Sequence, residues 1–64
     1  MSLEMIAVAP EEFARLRAKL RAATAEQIMA TYGIGETTWR KIRKGAPIRR
    51  QTLERIYKRY HALP

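Results

Sequence analysis

The side chains in this chain best equipped for chemistry are its cations. From Glu36 to Arg50 the sequence runs ETTWRKIRKGAPIRR, which sets Arg40, Lys41, Arg43, Lys44, Arg49 and Arg50 among Glu36, Thr37 and Thr38. Guanidinium and ammonium groups at this density, interleaved with hydroxyls, suit hydrogen bonding to phosphate oxygens and to the acceptor edges of bases. Covalent and metal chemistry have little to work with. The chain contains no Cys, no Asp and no Asn, and its one His is His61. A thiolate metal site therefore has no ligands, and His61 with scattered Glu lacks the usual ligand spacing. A Ser-His-Asp triad lacks its acid. Glu11 and Glu12 are adjacent, so on a helix they diverge by about 100° and make a poor acid/base pair. Gly33 and Gly35 alone do not build a phosphate loop. The expectation is a binding protein rather than an enzyme, with no cofactor, no metal and no small-molecule effector site.

The placement of charge says what is bound. The net charge is +7. Residues 1–35 are balanced: Arg15, Arg17, Lys19 and Arg21 face Glu4, Glu11, Glu12 and Glu26. Residues 36–64 carry nine basic side chains against Glu36 and Glu54, so the whole excess lies there. Such asymmetry is expected of a surface that meets a polyanion. The plainer alternative is a solvated basic face, which suits Arg55, Lys58 and Arg59 best. No apolar run approaches the roughly 18 residues of a membrane span, and the N-terminus lacks the basic start of a signal peptide. A cytoplasmic, nucleoid-associated location is expected.

These cations need elements to position them. Sixty-four residues allow one small domain, 1–64, with a core small enough that dimerisation stays open. Leu3–Ala9 is apolar without a helical period, and is either a short strand or a loose arm within residues 1–9. A strand there needs a partner, and a copy of itself across a two-fold axis would supply one. Pro10, Glu11 and Glu12 open a helix predicted over Pro10–Ala22, with Phe13, Leu16 and Leu20 on one stripe. Thr24 and Gln27 have capping-box spacing at the head of a second helix. Ile28, Met29 and Tyr32 form its expected inner face, and Gly33 stops it. Ile34 would plug the turn, and Gly35 would cap a third helix anchored by Trp39 and Ile42 and closed by Gly45. Ala46-Pro47-Ile48 is predicted as a plain link. A last helix from Arg49 to His61 carries Leu53, Ile56, Tyr57 and Tyr60 inward. Arg49 and Arg50 at its front oppose the helix dipole, so a phosphate contact is expected of them. The predicted class is all-α: four helices, or five if the tail adds one, containing a helix-turn-helix over residues 24–45.

A helix-turn-helix gives the cations a purpose. Its second helix needs one buried side and one polar side that enters the major groove. Residues 35–44 have both, with Glu36, Thr37, Thr38, Arg40 and Lys41 available to bases. Thr24–Gly45 resembles the helix-turn-helix of the lambda repressor-like group, the phage-repressor and Cro type. The matching features are Ile28 five residues before the turn glycine Gly33, Ile34 after it, Trp39 and Ile42 six and nine residues on, and the closing Gly45. Pro47, Thr52-Leu53 and Ile56 are similar to that group's next helix, and the likeness spans Phe13–Tyr60. The resemblance implies base contacts from Glu36, Thr37 and Lys41, with Thr38 and Arg40 reaching bases or the neighbouring backbone. It implies phosphate contacts from Thr24 and Ala25 at the head of the second helix, and from Arg43, Lys44, Arg49 and Arg50 along the flanking strand.

The expected function is sequence-specific double-stranded DNA binding by a transcriptional regulator. A homodimer would set two recognition helices about 34 Å apart, joined through Met5–Val8 or through Tyr57–Leu63. Two alternatives use the same charge. One is a DNA-binding accessory of a recombinase, transposase or plasmid-transfer machine. The other is a protein-interaction module for an acidic partner. Single-strand RNA binding fits less well, because Tyr57 and Tyr60 fall on the inward stripe rather than forming stacking platforms.

Overall fold

A computed structural model describes residues 4–64, so the Leu3 end of the expected apolar arm lies outside the described residues. The order is β1 (Met5–Ile6), α1 (Pro10–Ala18), α2 (Ala25–Tyr32), α3 (Glu36–Lys44), β2 (Ile48–Arg49) and α4 (Arg50–Ala62). Four helices with one two-stranded antiparallel sheet make up the expected small helical domain with an N-terminal strand.

Local backbone chemistry fixes most helix ends. Pro10 takes the first turn of α1, with Glu11 and Glu12 beside it. The Thr24 hydroxyl accepts from the Gln27 N–H at 3.2 Å and caps α2. Gly33 (φ 70°) and Gly45 (φ 77°) end α2 and α3 in the left-handed region. At Gly45 the exit is a Schellman motif: Gly45 N–H donates to Ile42 O and Ala46 N–H to Lys41 O. α1 stops at Ala18, short of the predicted Ala22. Leu20 N–H donates to Arg17 O at 3.1 Å, a tighter three-residue turn, and the Leu20 side chain is buried. Burying Leu20 thus coincides with the end of a segment whose own residues would continue the helix.

The strands correct the expected N-terminal arrangement. β1 pairs with β2 of the same chain, Met5 with Arg49 and Ile6 with Ile48, so it needs no second copy as partner. Arg50 N–H donates to Glu4 O at 2.9 Å and extends the pairing. The predicted link Ala46-Pro47-Ile48 therefore leads directly into a strand, and Ile48 is buried.

The core gathers Val8, Leu16, Leu20, Ile28, Tyr32, Ile34, Trp39, Ile42, Ile48 and Ile56, with Phe13, Leu53, Tyr57, Tyr60 and Leu63 packed against it. The centroid of the Trp39 ring lies 4.9 Å from that of Phe13 and 6.0 Å from that of Tyr32. The Tyr32 hydroxyl donates to Leu16 O at 2.6 Å, so its burial leaves no polar atom unpaired. Met29 is the exception to the predicted inner face of α2, at 52% exposed. Ile28 and Tyr32 are four residues apart and share the buried side, while Met29 is turned about 100° from Ile28.

Candidate nucleic-acid interface

α3 is held by its apolar side and offers the other. Trp39 and Ile42 are buried, at 3% and 1% exposed, while Glu36, Thr37, Arg40, Lys41, Arg43 and Lys44 are exposed and Thr38 is half-buried. Thr37, Lys41 and Lys44 recur at i, i+4 and i+7, so they form one stripe on the side away from Trp39 and Ile42. Among the described residues no side chain with charge is buried.

A groove runs along each flank of α3. On one flank Thr38 and Lys41 share a groove with Arg49 of β2, Thr52 of α4 and Met5 of β1. On the other, Glu36, Arg40, Arg43 and Lys44 share one with Ala23. Thr24 and Ala25 follow Ala23 directly and are exposed, although the Thr24 hydroxyl is already engaged as the α2 cap. Thus Lys41 and Arg49 are brought to one side of α3, and Arg43 and Lys44 to the other. Thr52 and Met5 join this surface, although the sequence assigns neither of them a DNA contact. Thr52 carries no charge signal, and Met5 reaches the groove only because β1 pairs with β2.

Ion pairing divides the cations into two sets. Glu36 Oε1 accepts from Arg40 Nη2 at 2.5 Å, with both side chains exposed. Arg50 donates from Nη1 to Glu4 Oε2 at 2.6 Å and from Nε to Glu54 Oε1 at 3.2 Å. Its pKa is raised further, chiefly by the hydrogen bond to Glu4. Arg50 therefore ties Glu4, the residue before β1, to α4 through exposed ion pairs. Both acidic residues of the C-terminal half are paired in this way. Lys41, Arg43, Lys44, Arg49, Arg55, Lys58 and Arg59 make no ion pair among the described residues.

Among the described residues, no three His or Glu side chains come together in a way that could hold a metal ion. The Tyr57 hydroxyl donates to Glu12 Oε2, tying α4 to α1, and Tyr57 and Tyr60 pack edge to face beside the core. No helix among the described residues is long and apolar enough to cross a membrane. No family model, no curated protein and no solved structure matches this chain, so the likeness of Thr24–Gly45 to the lambda repressor-like motif stands on its own residues.

Proposed function

We propose that this protein binds double-stranded DNA sequence-specifically by inserting α3 into the major groove, as a transcriptional regulator of lambda repressor-like type. The observation that carries the proposal is the exposed Thr37-Lys41-Lys44 stripe, opposite the buried Trp39 and Ile42, with neither lysine ion-paired among the described residues. An α-helix about 10–12 Å across matches a major groove about 12 Å wide.

In this mechanism Thr37 and Lys41 reach base edges, with Lys41 donating to guanine. Thr38 and Arg40 contact bases or the adjacent backbone. Glu36 accepts from cytosine N4, which requires it to share or release Arg40. Arg43 and Lys44 hold phosphates on one flank of α3 and Arg49 on the other. Thr24 and Ala25 present the amide groups at the head of α2. Arg50 contributes by fixing β1 and so the position of Arg49, and it reaches phosphate only by loosening its clasp.

A homodimer on a two-fold site completes the proposal. Val8 is in the core and β1 is paired internally, so Tyr57–Leu63 is the preferred interface of the two expected. Binding to DNA would place the protein with the nucleoid.

The test is titration against random duplex DNA at several salt concentrations. Six or more phosphate contacts give a log–log slope of about −5 or steeper. Absence of duplex binding at low salt removes the proposal. Selection from random duplexes then supplies the preferred site, and Lys41→Ala should relax preference at one base position, with a cost of about 1–3 kcal/mol.

A further inference from the structure

We infer that the duplex contact continues beyond α3 and β2 along α4, where Arg55 and Lys58 form a second phosphate-binding track. The inference rests on the proposed DNA binding and extends it to two residues whose plainer role is a solvated face.

The first support is placement. Gln51, Arg55 and Lys58 recur at i, i+4 and i+7 and make one exposed stripe of α4, away from the fully buried Ile56. The second is continuity. Arg49 and Thr52 line the groove beside Thr38 and Lys41 of α3, and they also line the groove that holds Arg55 and Lys58. The basic surface therefore passes from α3 over β2 onto α4 without a break.

The third is electrostatic. Glu54 is the one carboxylate in the α4 groove, and Arg50 already pairs with it. Arg49, Arg55 and Lys58 are left without an ion pair among the described residues. Neighbouring like charges on a helix face repel, and a polyanion laid along them relieves that repulsion. Arg59 has another task, since its guanidinium covers the α2–α3 turn, 2.9 Å from where a Cβ on Gly33 would stand.

Dimensions agree. Arg49 to Lys58 spans roughly 13 Å along a helix axis. Phosphates of one strand advance about 3.4 Å each along the duplex. The track covers the rise of about four phosphates, enough for three cations to engage separate groups.

The experiment compares the full chain with R55Q/K58Q, with the charge-keeping swap R55K/K58R, and with R15Q/K19Q at the C-terminal end of α1 and the turn after it. Duplex affinity is measured across salt concentration, and thermal melting checks that each variant is folded. Removing two phosphate contacts per protomer should flatten the salt slope by about two for each protomer bound, at roughly 0.9 per contact. R55K/K58R should restore the wild-type slope, R15Q/K19Q should keep it, and the base preference found by selection should be the same in all four. A folded R55Q/K58Q with the wild-type slope overturns the α4 track while leaving α3 binding intact. A wild-type chain that fails to bind duplex overturns both. A slope flattened equally by R15Q/K19Q also overturns the track, because net charge rather than position would then be responsible.

Discussion

Gly33 and Gly45 hold nearly the same left-handed backbone in different surroundings, which allows backbone strain to be separated from steric crowding. Their φ angles are 70° and 77°. A Cβ on Gly45 would meet nothing within 4 Å, whereas one on Gly33 would stand 2.9 Å from Arg59 Cζ and 3.0 Å from its Nη2. An L-residue in this region costs roughly 1–2 kcal/mol, and a gain of about 0.4–1 kcal/mol from a less flexible unfolded chain offsets part of it. Gly45→Ala should therefore lose about 1 kcal/mol, a melting shift of about 4–8 °C for a domain of this size. Gly33→Ala adds a clash, but with the far end of a long side chain that can turn away. The backbone term should win, and Gly33→Ala should exceed Gly45→Ala by less than about 0.5 kcal/mol, within the usual range for surface changes. Urea unfolding followed by Trp39 fluorescence measures both variants, alone and in an Arg59→Ala background. A neutral Gly45→Ala would refute the backbone argument. A Gly33→Ala loss far above that of Gly45→Ala, and abolished by Arg59→Ala, would show the Arg59 contact to be rigid and steric crowding to dominate.

Two further outcomes are expected from the core. Met29→Ala should change stability by less than about 0.5 kcal/mol because the side chain is on the surface, while Ile28→Ala on the buried side should lose about 2–5 kcal/mol; equal losses in chemical denaturation would put Met29 back inside. At high pH the fold should weaken, since burial first of all pushes the Tyr32 and Tyr57 hydroxyls up to about 12, helped at Tyr57 by Glu12. The unfolded hydroxyls ionise near 10, so the stability these groups contribute is complete below pH 10 and is lost as pH rises toward 12. Tyr32, nearly fully buried, accounts for a loss on the order of 2 kcal/mol, and the half-buried Tyr57 for less. Urea midpoints taken between pH 9 and 12 follow this, and a Tyr32→Phe variant with an undiminished alkaline loss would contradict it.

Where a signal is carried by the backbone chemistry of neighbouring residues, the sequence was legible. Thr24 caps α2 through an amide three residues away, and Gly33 and Gly45 stop their helices because each takes a positive φ. Trp39 and Ile42 were readable as inward because three-residue spacing fixes a helix face. The failures are all tertiary. α1 ends early as Leu20 turns into the core, although Arg21, Ala22 and Ala23 suit a helix. Met29 is apolar yet exposed, and a single exposed apolar side chain is ordinary on protein surfaces. Strands of two residues are too short to show alternation, and β1 finds β2 more than forty positions away. The cations of the candidate interface were all visible, but their pairing was not. Arg50 and Arg49 are adjacent and look equivalent in sequence, and the approach of Glu4 gives Arg50 an ion pair that Arg49 does not make among the described residues.

That approach also explains why so small a domain carries an N-terminal strand at all. Among the described residues the core has ten buried side chains, and α3 and α4 each pack on α2 rather than chiefly on one another. Pro47 prevents α3 and α4 from being joined as one helix, so the path of residues 46–49 must be set from outside. β1 does this by pairing Ile6 with Ile48 and Met5 with Arg49, and the Glu4–Arg50 clasp closes the far end. The result places Arg49 and Thr52 beside Thr38 and Lys41. On this view the charge-balanced N-terminal half is not a passive partner of the basic half. It consumes one arginine to aim another, so the relative position of the α3 and α4 cations depends on a segment that carries no excess positive charge of its own.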